Sequence, residues 1–225
     1  MTPFADIWER AVLRHGEDEL KRRFPSVKSS AELEAMGDDR FLAAMTKRVF
    51  AAGFRWKVIE MKWDGFEEAF AGFDPAAVAA YDDARVGQLA ADTRIVRNKS
   101  KILSTIDNAA FVQSIAREHG SFGAWLAAWP STDVIGLWAA LKEGGNRLGG
   151  DTGAWFLRLV GKDTFRISSD VSTALIDAGV VPKKPSGKRA MAEVQRAFNS
   201  WHEESGLPMA HISLVLACSA GDVYS

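Results

Sequence analysis

The spacing of apolar residues restricts this chain to one class of fold. Apolar side chains recur every three or four positions through most of the sequence, and no stretch keeps the two-residue alternation of a half-buried strand. We therefore predict an all-α protein of roughly ten helices. The 225 residues, 47% of them hydrophobic, are enough to bury a sizeable core. We expect a single helical domain over residues 1–225, with the option of two helical lobes around a cleft.

Capping residues and helix breakers indicate where several helices begin and end. Asp38 or Asp39 can cap one helix, because a short polar side chain accepts hydrogen bonds from first-turn amides. Asp74 can cap another, with Pro75 at the first helical position, where its missing N–H costs nothing. The longest predicted helix extends from about Asn98 to His119. Further helices are predicted to start near Ser121, Thr132, Thr152, Ser168, Gly187 and Pro208, so that C-terminal helices cover about residues 170–219.

Charge and cysteine content limit the possible partners. The formal net charge is −1, so any surface that binds a polyanion must be a local patch. Cys218 is the only cysteine, which excludes an internal disulfide and fits a reducing compartment. The start of the chain lacks a signal-peptide pattern, and no run approaches the ~20 apolar residues of a membrane span. We expect a cytoplasmic monomer that does not enter a membrane.

A glycine-rich corner between two predicted helices, over about residues 133–160, is the first candidate functional element. Leu148 is expected to plug the core, while the glycines adopt backbone conformations that other residues avoid. Amides at the corner and at the start of the next helix would then point outward and bind a phosphate. A plain helix–helix corner, with glycines for close packing only, is the alternative. The DNA-binding candidates here are Leu148, Gly149, Gly150, Thr152 and Gly153.

The block LGGDTGAWFLRLVGKDTFRISSDV (148–171) resembles the hairpin and following segment of the helix-hairpin-helix DNA glycosylases. Three blocks upstream together resemble one family of that superfamily, 3-methyladenine DNA glycosylase I: AAGFRW (51–56), FDPAAVAAY (73–81) and RIVRNKSKILSTIDNA (94–109). The resemblance covers about Phe41 to Val171. It implies an enzyme that turns a damaged, alkylated base out of duplex DNA and hydrolyses its N-glycosidic bond. Double-stranded DNA containing a damaged base is the implied partner, and no cofactor is expected.

The resemblance also proposes residues for a base pocket. Trp56 matches the family's pocket tryptophan, and stacking an aromatic ring on a base is worth ~1–3 kcal/mol. Phe54 and Trp63 are further candidates for the pocket. Core packing is the alternative for all three, since the chain has eight tryptophans and 13 phenylalanines.

Arg48 is the main departure from the family pattern, which has a glutamate eight residues before the pocket tryptophan. A carboxylate favours a methylated, positively charged purine, whereas a guanidinium repels it. At ~4 Å and an effective dielectric constant near 20, one such charge–charge term is about 4 kcal/mol. Arg48 therefore either points elsewhere, as part of a solvated helix face beside Lys47, or the preferred base is not cationic. A neutral lesion with hydrogen-bond acceptors suits its donors better.

Asp170 is the candidate catalytic residue. Helix-hairpin-helix glycosylases place an aspartate shortly after the hairpin helix to stabilise positive charge on the sugar or to orient water. Ser168 or Ser169 occupies that position here, and Asp170 follows it. The alternative is a first-turn acid that interacts with the helix dipole. The position before the hairpin helix that bifunctional lyases use for a Schiff base has no lysine, so a monofunctional enzyme is expected.

The family's zinc site, two cysteines and two histidines, cannot be carried over to a chain with one cysteine, and no metal is predicted. A basic turn with Arg97, Asn98, Lys99 and Lys101 is a candidate DNA contact, with an ordinary solvated face as the alternative. Two other functions stay open. The chain can be a non-catalytic helix-hairpin-helix protein that recognises damaged or distorted DNA, or a helical scaffold that does not bind DNA.

Overall fold

The computed structural model describes residues 1–220, and every regular element in that range is helical. The all-α prediction is confirmed, although the described part holds fifteen α-helices rather than roughly ten. Several of them span only five to seven residues, so apolar periodicity alone merges them with their neighbours. The helices are α1 (Phe4–His15), α2 (Glu17–Arg22), α3 (Ser30–Glu34), α4 (Asp38–Ala51), α5 (Trp56–Met61), α6 (Trp63–Ala69), α7 (Pro75–Ala79), α8 (Asp83–Ala91), α9 (Lys99–His119), α10 (Phe122–Ala128), α11 (Val134–Gly144), α12 (Asp151–Val160), α13 (Ser169–Asp177), α14 (Gly187–Ser205) and α15 (Met209–Ser219), with 3-10 turns at Ala71–Phe73 and Ser131–Asp133.

Two compact units make up the chain. Within the described residues, unit 1 combines residues 1–27, 130–137 and 163–220, and unit 2 combines residues 28–129 and 138–162. In the described part of the chain, no helix is both long enough and apolar enough to cross a membrane.

Unit 2 is built around the contact between α4 and α9. Helices α7, α8 and α10 also pack on α9, and α12 packs on α4. The apolar faces of α4 and α9 supply fully buried side chains, among them Phe41, Phe50, Ile102 and Val112. This packing brings α12, the second helix of the glycine-rich corner, against the helix that carries Arg48.

Unit 1 is built around α15, on which α1, α13 and α14 pack. Two carboxylates from distant parts of the sequence cap its helices. Glu204 accepts hydrogen bonds from the backbone amides of Phe4 and Ala5 at the start of α1, at 2.9 and 3.1 Å. Asp163 accepts from the amides of Met209 and Ala210 at the start of α15, at 3.1 and 2.8 Å. Because these caps join residues far apart in sequence, they tie the unit together as well as ending each helix.

Local caps agree with the sequence-based prediction at several helices. Asn98 caps α9 by accepting from the Lys101 amide at 3.1 Å, and Asp74 caps α7, which begins at Pro75. Ser168 caps α13. In each case the acceptor lies within three residues of its donor, so the sequence contains the whole interaction.

Two predicted helix starts were wrong. Gly37, and neither Asp38 nor Asp39, is the N-cap of α4, and the Asp38 carboxylate accepts from the Phe122 amide of α10 at 2.9 Å. The helix predicted from Thr132 begins at Val134, after a 3-10 turn, with Asp133 accepting from the Gly136 amide. For Asp38, the local sequence pattern predicts that the carboxylate caps the first turn of α4. In the structure that carboxylate instead bonds an amide of another helix, which is distant in sequence.

Candidate DNA interface and base pocket

The glycine-rich corner lies between α11 and α12. Gly150 has φ 61° and ψ −138°, a backbone conformation open to glycine and strained for other residues. Gly153 is buried, and a side chain there would run into the carbonyl oxygen of Leu148. Leu148 itself is only 1% exposed. It therefore packs in the core as predicted, and burial removes it from the candidate DNA contacts.

The N-terminus of α12 is open at this corner. Its cap residue, Gly150, is exposed, and no side chain caps the helix. The first amides of an α-helix lack partners within the helix and point along its axis, which makes such an end a favourable anion site. Gly149 and Thr152 flank it and are partly exposed. Asp151, exposed in the first turn, is the one acidic residue of that turn.

Buried polar side chains of α9 hold the corner in place. Asn108, fully buried, accepts from the Asn146 amide at 2.7 Å and donates to the Asn146 carbonyl at 3.1 Å. Ser104, also fully buried, donates to that carbonyl at 3.1 Å. These residues were not among the predicted site residues. Polar residues on the buried face of a long helix were the available signal, because buried polar groups are almost always hydrogen-bonded.

Replacing Asn108 with alanine is expected to loosen the corner. The substitution leaves the Asn146 amide without its buried acceptor, which typically costs about 1–3 kcal/mol. The free energy of unfolding should fall by that amount in chemical denaturation. Asn108→Asp keeps an acceptor for the amide and loses the donor to the carbonyl, so it separates the two bonds. Equal stability of Asn108→Ala and the parent protein would contradict the anchoring role.

The basic turn before α9 supplies fewer surface cations than predicted. Arg97 and Lys99 are exposed. Lys101, in contrast, is 7% exposed, and its ammonium donates to the carbonyls of Phe50 and Ala52 at 3.0 and 2.6 Å. Burial lowers the pKa of Lys101, and the Arg147 charge lowers it further. Its assignment as a DNA contact is therefore corrected, because its donors satisfy the C-terminal end of α4.

Arg147, which was not among the predicted site residues, joins the corner to this basic turn. Its backbone has φ 62°, which is uncommon for a residue with a side chain. Its guanidinium donates to the Ser100 hydroxyl at 2.7 Å in the first turn of α9. Arg147, three residues before Gly150, therefore contacts the turn that carries the exposed Arg97 and Lys99, and we call these three cations the basic rim.

Cations and indole rings alternate in the region predicted as the base pocket. The Lys47 ammonium lies 4.9 Å from the ring centroid of Trp63 and 5.1 Å from that of Trp56. The Arg48 guanidinium carbon lies 5.2 Å from the Trp56 centroid and 4.8 Å from that of Trp155. The order is therefore Trp63, Lys47, Trp56, Arg48, Trp155, which we call the cation–indole ladder. Each of these distances is within the range of a favourable cation–π contact.

The ladder reaches the surface at the corner helix. Trp155, on α12, is 38% exposed, and Trp56 and Arg48 are partly buried. Trp155 lies one turn after the open start of α12, so the candidate phosphate site and the candidate pocket share one helix. Arg48 does not stand on a solvated face apart from Trp56, which was the alternative for it.

Trp63 and Phe54, the other two predicted pocket residues, differ in their surroundings. Trp63 stacks on Phe66 and Phe73 with centroids 5.5 and 5.3 Å apart, and its Nε1 donates to Glu67 at 2.9 Å. This packing gives Trp63 a structural role at the inner end of the ladder. Phe54 is 45% exposed in the loop between α4 and α5, with the buried Lys101 ammonium 4.7 Å from its ring centroid.

Asp170 lies exposed in the first turn of α13. The Ser169 hydroxyl is 3.4 Å from its carboxylate, and Ser168 caps the helix. A carboxylate in a first turn interacts favourably with the helix dipole. Its position in the sequence still makes it the candidate catalytic acid of unit 1.

The residues of this chain do not fit the family's zinc site. His211 Nε2 bonds the Pro25 carbonyl at 3.0 Å while its ring stacks on Phe24. His202 Nδ1 bonds the Leu207 carbonyl at 2.7 Å. Cys218 is buried, and across residues 1–220 no three side chains of His, Cys, Asp or Glu come together as possible metal ligands. We derive no chemistry through a metal.

An open depression of about 420 Å³ lies elsewhere in unit 2. Asp38, Asp74, Gln113 and Arg117 contribute to its lining. None of the predicted pocket residues lines it, so it is separate from the cation–indole ladder.

Solved structures establish the class of fold. Two structures of 3-methyladenine DNA glycosylase I from Staphylococcus aureus are similar to this chain, one of a single-residue variant and one describing 3-methyladenine recognition. They are 20% and 21% identical, with TM-scores of 0.53 and 0.52. The matches cover 75% and 66% of this chain and 92% and 88% of theirs. A third 3-methyladenine DNA glycosylase I is 20% identical with a TM-score of 0.51, over 63% of this chain and 85% of its own. The fold is that of helix-hairpin-helix DNA glycosylases.

A separate comparison matches part of the chain to a protein family. The model of the methyladenine glycosylase family matches residues 33–143, from α3 into the last turn of α11. This match confirms the resemblance of the first three sequence blocks to that family. Helix α12 and the helices that follow it lie outside the matched residues.

Proposed function

We propose that this protein is a monofunctional DNA N-glycosylase that removes a damaged base from duplex DNA as a monomer. The family match and the glycosylase fold support this activity. The observation that carries it is the shared use of α12, whose open N-terminus faces outward at a basic rim while Trp155 extends the cation–indole ladder one turn later.

Each part has a physical role in this proposal. Amides of the corner hold one phosphate, and Arg97, Lys99 and Arg147 add charge contacts that fix the register without reading sequence. The everted nucleotide stacks on the indole of Trp56. Water then replaces the base at the sugar carbon, and Asp170 is the proposed carboxylate that stabilises the positive charge developing there.

Base release from a lesion panel tests the activity. Duplexes carrying a single 3-methyladenine, 7-methylguanine, hypoxanthine, uracil or 8-oxoguanine are incubated with the protein, and free bases are separated by chromatography. We expect release of at least one base, leaving an abasic site in an intact strand. Asp170→Asn should keep DNA binding and slow release. A folded protein that releases no base from any duplex is not a glycosylase, and if it still binds the duplexes, it is a reader of DNA damage.

Arg97→Ala is expected to weaken binding to damaged and undamaged duplexes alike. Loss of one phosphate contact should reduce the slope of log K against log salt by about 0.9. Lys101→Met is the internal comparison, because the Lys101 ammonium bonds protein carbonyls. That variant should lower the melting temperature and leave the salt slope unchanged. An unchanged slope for Arg97→Ala, measured by fluorescence anisotropy at several salt concentrations, would remove Arg97 from the interface.

A further inference from the structure

The charge of the cation–indole ladder bears on which base it accepts. Two consecutive residues of α4, Lys47 and Arg48, place positive charge against the faces of three indoles. The attraction of an indole face for a cation comes from its negative quadrupole. In this protein, two side chains already use that attraction at the Trp56 ring.

A base that carries a positive charge meets two costs at this surface. It must displace a side-chain cation from an indole face, or it must lie beside that cation and experience like-charge repulsion. The repulsion is strong where water is partly excluded, and both Trp56 and Arg48 are partly buried. A neutral base that takes the same face also displaces a cation, but it stacks by dispersion and area burial and experiences no like-charge repulsion.

Hydrogen bonding also favours a neutral base over a cationic one. Guanidinium has only donors, held in a planar fork, and ammonium has only donors as well. Their partners on a base are carbonyl oxygens and unprotonated ring nitrogens. Alkylation of a purine ring nitrogen removes one such acceptor and leaves a positive charge. Deaminated and oxidised bases keep or gain carbonyl acceptors and remain neutral.

We infer that the ladder selects a neutral base lesion with carbonyl or ring-nitrogen acceptors over a cationic alkylated purine, and that Arg48 is the specificity-determining residue. This inference rests on the proposed glycosylase function. Trp56 supplies the stacking face, and Arg48, between Trp56 and Trp155, supplies the donors and the charge that excludes cations.

The test compares the two classes of lesion on the intact protein. Release rates are measured for hypoxanthine, uracil and 8-oxoguanine, and for 7-methylguanine and 3-methyladenine, in otherwise identical duplexes. We expect the best neutral base to leave at least about tenfold faster than either cationic one, which corresponds to about 1.4 kcal/mol. Arg48→Glu should reverse or abolish that ratio, and Arg48→Lys, which keeps the charge, should preserve it in part.

Arg85→Glu is the matched control. Arg85 also lies over an aromatic ring in unit 2, with its guanidinium carbon 5.2 Å from the Tyr81 centroid, but it is outside the ladder. It should leave the ratio unchanged, so a change confined to Arg48→Glu reflects the pocket and not a general loss of packing. Asp151→Asn removes the acidic residue one turn before Trp155 and should widen the preference for the neutral base.

A binding measurement covers the case in which release is slow. Duplexes with 2′-fluorinated nucleotides resist hydrolysis, and the affinity for 2′-fluoro-hypoxanthine is compared with that for 2′-fluoro-7-methylguanine. The specificity would be overturned if the parent protein released the cationic bases faster or bound them more tightly, and if Arg48→Glu lowered release of both classes of base equally. The glycosylase function would still stand. Absence of release and of any preference between lesion and undamaged DNA would remove both proposals.

Discussion

Trp56→Ala is expected to slow base release by about 5- to 150-fold, the equivalent of a stacking contact worth about 1–3 kcal/mol. The indole is partly buried, and the Lys47 and Arg48 cations lie 5.1 and 5.2 Å from its ring centroid. Its removal therefore takes away the proposed stacking surface for the base and leaves Lys47 and Arg48 with one indole partner each instead of two. The measurement is single-turnover release of the best substrate of the lesion panel.

Two comparison variants separate a pocket role from a core role. Trp56→Phe keeps an aromatic face and should recover most of the rate. Trp8→Ala removes another partly buried tryptophan, on α1 of unit 1, and should leave release unchanged. Unfolding free energies are measured for all three. If release changes in the same proportion as stability in both Trp56 variants, the residue belongs to the core.

Helix ends could be predicted where the capping side chain and the amide it bonds lie close together in the sequence. The long helix α9 was found with its cap Asn98 and its terminal Gly120, because acceptor, donor and stop signal lie within a few residues of each end. Asp38 shows the limit of this reasoning. Its carboxylate serves an amide 84 residues away, and no local pattern contains that partner.

The site could be predicted in part for the same reason. The sequence blocks selected Trp56 and Arg48, and the glycine pattern selected the corner. Trp155 and Asn108 were not selected, because their roles depend on the packing of α12 against α4 and of the corner against α9. Lys101 was misassigned because a basic residue in a basic turn looks exposed until its burial against the carbonyls of α4 is seen.

Gly150→Ala is expected to damage the DNA interface through the backbone alone. The new side chain meets no atom within 4 Å, so the cost is conformational. At φ 61° and ψ −138° a residue with a side chain is strained by about 1–3 kcal/mol. The corner must relax to relieve that strain, which turns the first amides of α12 away from the phosphate. An anion at a helix N-terminus is worth up to about 2 kcal/mol, so affinity for an undamaged duplex should fall by up to about 30-fold.

Gly120→Ala is the control that separates strain from recognition. Gly120 ends α9 in the same unit with φ 88°, and a side chain there also meets nothing within 4 Å. Both substitutions should therefore lower the unfolding free energy by similar amounts, since both force a residue with a side chain into a conformation suited to glycine. Only Gly150→Ala should weaken DNA binding, in anisotropy titrations at one fixed salt concentration. Equal binding losses in both variants would mean that general stability, and not the amides of α12, determines affinity for DNA.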